Sequence, residues 1–219
     1  MAPTHWLWLM VFVLSAFYFY FRPSLNLRQF FSSFLILLAF SLSMIYLLNL
    51  NQWLMPVGIF LGFLFFLLMG VKNLIFANRQ PFYTLFNALL FLSVFLFFFG
   101  TNNIQGFLVK YLITFLVVFL LVRDFLSLSL SDSLGINKKN LMAFGLAFLI
   151  LQFLWVIALL PIGFINAAPL ALLTALILED LAVHHLKGTI SRRIVLRNAT
   201  VFLILSLIIF GASKLTILS

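Results

Sequence analysis

"QFFSSFLILLAFSLSMIYLLNLNQWLMPVGIFLGFLFFLLMGV", residues 29–71, is too long and too apolar to be one element of a water-soluble domain. A helix rises about 1.5 Å per residue, so roughly 20 apolar residues cross a hydrocarbon core of about 30 Å. The run is therefore two crossings, and the polar step "NLNQ" at 49–52 is where the chain turns. Reading outward from it gives eight spans, at about 5–21, 29–49, 53–71, 82–100, 106–122, 141–160, 162–183 and 198–217. Pro161 and Gly163 separate the sixth from the seventh. These runs are apolar on every side, whereas a transmembrane barrel needs short alternating segments, and lipid cannot satisfy an open strand edge. The expected fold is all-α, a polytopic transmembrane helical bundle of about eight spans. Seven is the alternative, with the weak seventh run re-entrant or interfacial.

Composition agrees. Hydrophobic residues make up 65% of the chain, thirty of them phenylalanine, and only 8% is charged. Soluble domains are nearer half apolar and a quarter charged. Four acids, Asp124, Asp132, Glu179 and Asp180, cannot coat a water-exposed surface of this size. In a soluble chain a net charge of +9 would suggest nucleic acid. Here the basic residues flank apolar runs, as in proteins that meet anionic headgroups, so lipid is the expected partner and nucleic acid is not. With no cysteine there are no disulfides and no thiolate metal sites or nucleophiles. "MAPTHWLWLM" lacks the basic start of a cleaved signal peptide.

The connections alternate in kind. "FRPSLNLR", "VKNLIFANRQ", "VRDFLSLSLSDSLGINKK" and "EDLAVHHLKGTISRRIVLR" hold eleven of the thirteen Lys and Arg, while "NLNQ", "GTNNIQ" and "PIGFIN" hold none. The positive-inside rule makes the first set cytoplasmic. Eight spans then put both termini outside, in a multi-pass protein of a bacterial-type cytoplasmic membrane. The chain reads as a single integral membrane domain, 1–219, with a hint of helical-hairpin repeats near 5–49, 53–100, 106–160 and 162–217. Each even-numbered span opens on a basic residue and an amide: Arg28-Gln29, Arg79-Gln80, Lys139-Asn140 and Arg197-Asn198. Topogenic charge beside a helix N-terminus accounts for that pattern as simply as duplication does.

Few residues carry chemistry. Lys110 is the one ionisable group well inside an apolar run, shallow enough to snorkel to the headgroups or, facing inward, to hold an anionic ligand. Gln152, near the middle of the sixth span, is expected to be buried, since a mid-membrane amide needs a partner. Asn87, Asn166 and Thr174 could join these two around a small polar cavity. Asp180 and His184 are i,i+4 and share a helix face, a weak metal candidate unless Asp124 or Asp132 completes the shell. The simpler reading makes "EDLAVHHLKG" the wet end of the seventh helix, ending at Gly188. Lys187, Arg192, Arg193 and Arg197 then lie against anionic lipid. Small residues at Gly58 and Gly62, Ala143 and Ala147, and Ala167, Ala171 and Ala175 permit close helix contact. Pro56 and Pro169 lie within spans and are candidate kinks.

No phosphate loop, nucleophile elbow or zinc motif is present. The leading expectation is a non-enzymatic binding or assembly component, engaging a membrane-protein partner or a second copy, without a cofactor. A small transporter or solute-capture subunit for an anionic or amphipathic solute comes next, although ion coupling lacks a mid-membrane acid. A cytoplasmic-face enzyme centred on Glu179, Asp180 and His184 comes third.

Overall fold

The structure, a computed structural model of the chain, describes residues 4–22, 30–47, 54–72, 79–101, 107–130 and 135–217. These form eight helices and, among the described residues, no strand. In chain order they are α1 (Thr4–Phe21), α2 (Phe31–Leu47), α3 (Leu54–Lys72), α4 (Arg79–Gly100), α5 (Phe107–Ser129), α6 (Ile136–Ala158), α7 (Phe164–Leu186) and α8 (Arg192–Ile217). Six of them, α3 to α8, are long and apolar enough to cross a membrane; the apolar stretches described in α1 and α2 are shorter. The protein is a helical membrane bundle. The run 29–71 does break into two helices, α2 and α3, on either side of "NLNQ".

Helices α5, α6 and α8 overshoot the apolar runs furthest, each at its basic end. α5 continues through Arg123 and Asp124 to Ser129, α6 begins at Ile136, and α8 begins at Arg192. Polar residues at a membrane surface do not end a helix, because the backbone still prefers its own hydrogen bonds there. Pro56 falls in the first turn of α3, where its missing N–H has no intrahelical partner to lose, so no kink is needed. Pro169 does lie inside α7. The seventh helix stops as expected. Gly188 adopts φ +65°, the Gly188 N–H bonds the His185 carbonyl at 3.0 Å, and the Thr189 N–H bonds the His184 carbonyl at 2.9 Å. That is a Schellman ending, and it needs the glycine.

The chain forms two compact units, Met1–Phe86 and Asn87–Ser219, so the division falls within α4. The first unit is built on rings. Tyr20 and Phe34, both fully buried, stack at 4.2 Å, and Tyr83 donates to or accepts from the Ser33 hydroxyl at 3.0 Å. In the second unit α6 packs on α5 and α7, and α7 on α8. The α6 stripe buries Ala143, Leu146, Ala147, Ile150, Leu154 and Ile157. The α7 stripe buries Ala167, Ala171, Ala175 and Ala182. Small side chains let these backbones approach closely, which in lipid replaces the hydrophobic drive that water would supply.

Three lysines are handled alike. Lys72 Nζ donates to the Tyr20 carbonyl in the last turn of α1 and lies 3.6 Å from the Tyr20 ring centre. Lys110 Nζ donates to the Thr101 carbonyl just past α4 at 2.7 Å, and Lys139 Nζ to the Leu130 carbonyl just past α5 at 3.4 Å. The last carbonyls of a helix have no intrahelical donor and carry partial negative charge, so an ammonium is well placed there.

Candidate functional site

Glu179 and Asn87 form the polar centre of the second unit. Glu179 lies on α7, roughly two turns before its end at Leu186, and is 1% exposed. Asn87 lies a little over two turns into α4 and is fully buried. The Asn87 amide donates to Glu179 Oε1 at 3.1 Å and to Oε2 at 3.3 Å. No Lys, Arg or His among the described residues pairs with this carboxylate. Asn87 Oδ1 is buried without a hydrogen-bond partner. The site thus holds an enclosed carboxyl group, an amide that serves it through nitrogen, and a second amide atom left unsatisfied. Each of those features is costly in an apolar interior, and membrane proteins retain such groups where they do something.

The adjacent Asp180 turns the other way. It accepts from Asn198 Nδ2 at 2.7 Å and from Arg197 at 3.1 Å, both at the start of α8, and lies 3.7 Å from His184. The His184 ring bonds the Thr189 hydroxyl at 2.9 Å. Asp180 is therefore the tie between the end of α7 and the start of α8, a larger structural role than an exposed i,i+4 pair would have. Among the described residues no three His, Cys, Asp or Glu side chains gather as a metal site. Asp124 is buried and pairs with Arg123 at 3.5 Å; Asp132 lies outside the described residues.

The five residues expected around one polar cavity are placed separately. Lys110 bonds Thr101 and sits 4.4 Å from the Phe98 ring centre, so its charge is absorbed by a helix end and a ring. Thr174 donates to the Leu170 carbonyl of its own helix, Asn166 is half-buried, and Asn87 serves Glu179. No hydrogen bond joins any two of the five. Gln152 corrects the expectation of burial, because it is exposed on α6. The buried stripe passes through Ile150 and Leu154, and two residues from either is about 200° around a helix, on the far face. Lys187, Arg192, Arg193 and Arg197 are all exposed around the α7–α8 turn.

Glu179 was within reach of the sequence by the same geometry. Ala171, Ala175, Glu179 and Ala182 follow i, i+4, i+8 and i+11, one face of one helix. A carboxylate that continues a stripe of buried alanines is itself buried, whereas Asp180 is turned about 100° away. Of the basic–amide pairs, Arg197 and Asn198 both bond Asp180 and Lys139 bonds the Leu130 carbonyl, while Arg28-Gln29 lies outside the described residues. No protein-family model matches this chain, and neither a curated protein nor a solved structure is significantly similar to it.

Proposed function

We propose that this multi-pass membrane protein is a small proton-responsive transport or solute-capture component whose working site is the Glu179–Asn87 pair. The observation that supports it most is a fully enclosed carboxyl group with an amide as partner and an orphan amide oxygen beside it. A carboxylate satisfies only the amide N–H groups. A protonated carboxyl can instead donate to Asn87 Oδ1 while accepting from Nδ2, in a paired acid–amide arrangement that leaves neither oxygen nor nitrogen idle. A proton needs no cavity, whereas a metal ion needs several oxygen ligands that this pair does not supply. Three of the cations on the neighbouring helices are bonded elsewhere: Arg123 to Asp124 on α5, Lys139 of α6 to the Leu130 carbonyl, and Arg197 of α8 to Asp180. Under the expected orientation the site lies toward the cytoplasmic face, about 10 Å from the end of α7.

A second reading, assembly with a membrane-protein partner or a second copy, is favoured by α8. Its candidate span Arg192–Ala212 is only 6% buried, and its apolar side chains are exposed on most sides. The two readings are compatible in one subunit, with the bilayer as the common partner and no nucleic acid. Neither requires an enzyme or a cofactor.

Transport is tested in sealed vesicles carrying a trapped pH-sensitive dye, under an imposed pH gradient with the membrane potential clamped. The wild-type chain is expected to acidify the lumen about 100-fold faster than Glu179→Gln, the lower end of the loss typical of removing a positioned proton-transfer group. Arg193→Gln is expected to match wild type. Equal rates for wild type and Glu179→Gln would contradict the proposal.

A further inference from the structure

The first unit contains a groove that the Glu179 site does not use. It has a volume of about 520 Å³ and lies between α1 and α3, walled by Phe12 and Phe19 on one side and Phe65 and Phe66 on the other. That size falls within the range of small-molecule sites, and the walls are almost wholly apolar. Gly62 forms part of the lining and is exposed, so no side chain covers the groove at that position. The groove's charged end is what distinguishes it from an incidental crease. Arg22 closes one end, exposed, with its guanidinium 5.4 Å from the Tyr18 ring centre and no ion pair among the described residues.

Length identifies the occupant. From Phe12 to Arg22 the α1 axis runs about 15 Å, half of a hydrocarbon core of about 30 Å. One acyl chain of one leaflet has that reach. The charge lies at the end of the groove where a headgroup would lie, and it is positive. A guanidinium presents a fork of N–H donors suited to phosphate oxygens, and Tyr18 holds it by cation–π attraction rather than by neutralising it. We propose that this groove binds an anionic phospholipid, one acyl chain lying over Gly62 and the phosphate on Arg22. Lys72, the neighbouring cation, is buried and already bonded to the Tyr20 carbonyl, so Arg22 carries the headgroup contact. None of its residues belongs to the exposed basic cluster at the α7–α8 turn.

The test is native mass spectrometry of the full chain in detergent, titrated with phosphatidylglycerol or phosphatidylcholine. Wild type is expected to hold one phosphatidylglycerol with about fivefold preference over phosphatidylcholine, as one arginine at an anionic surface supplies. Arg22→Gln is expected to abolish the preference, and Lys138→Gln, at an exposed position on α6, to keep it. Gly62→Trp, which fills the open space, is expected to weaken retention of both lipids about tenfold, as roughly two methylenes lose apolar contact. Helical content by circular dichroism should be unchanged in all three. Three results would each overturn the proposal: equal retention of the two lipids by wild type, a preference that survives Arg22→Gln, or a dimer peak that disappears in Gly62→Trp while lipid binding persists.

Discussion

Asn87→Leu is expected to destabilise the second unit by about 3–5 kcal/mol at alkaline pH, the cost of stripping the partner from a buried carboxylate. The substituted side chain is close in volume and apolar, so packing around α4 is nearly preserved. What is lost is the amide that donates to both Glu179 oxygens. On acidification the cost should fall to about 1–3 kcal/mol, that of an unsatisfied neutral group. The sign follows from linkage: Asn87 donates to the charged form, so removing it harms that form most. The double variant Asn87→Leu with Glu179→Leu should recover most of the loss, since replacing a buried polar pair by apolar residues is often neutral or favourable. Equilibrium unfolding in mixed micelles at two pH values measures all three effects. A double variant no better than Asn87→Leu alone would show that the two side chains do not act as a pair.

Ala175→Phe is expected to cost about 3 kcal/mol, toward the upper part of the range for over-packing. Ala175 is fully buried one turn before Glu179 on the same face of α7. A phenyl ring there must push the neighbouring helices apart, and with them the wall around the carboxyl group. Ile165→Phe, at a position that is 63% exposed on the same helix, is the control and should change stability by less than about 0.5 kcal/mol. The same unfolding assay distinguishes them. Equal effects would mean that the alanine stripe is not a tight contact.

The contrast between these positions explains what was legible in the sequence. Helix number followed from the length of apolar runs, because lipid leaves the backbone no alternative to internal hydrogen bonds. The ends of α5, α6 and α8 did not follow, because polar residues mark where the membrane stops and not where the helix stops. Gly188 was legible, since only one residue type suits a helix ending at φ +65°. Gln152 and Glu179 depart from expectation for a common reason: polarity along the sequence does not say which face of a helix a residue occupies, and that face decides burial. Gln152 lies opposite the α6 stripe, and Glu179 continues the α7 stripe into the bundle. Lys110 was legible as unusual, but its partner was not, because the Thr101 carbonyl is a backbone group that no side-chain pattern reveals.

Infrared difference spectroscopy on the reconstituted protein reports directly on whether Glu179 exchanges a proton. Stepping from alkaline to acidic buffer, the wild-type chain is expected to gain a protonated-carboxyl C=O band, together with a shift of an amide side-chain band as Asn87 changes from serving a carboxylate to pairing with an acid. In Glu179→Gln the amide shift and the Glu179 part of the carboxyl band should be absent, leaving only what the three aspartates contribute; in Asn87→Leu the Glu179 band should persist at a different frequency while the amide shift disappears. A carboxyl band that is the same in wild type and Glu179→Gln, with no amide shift in either, would contradict the account.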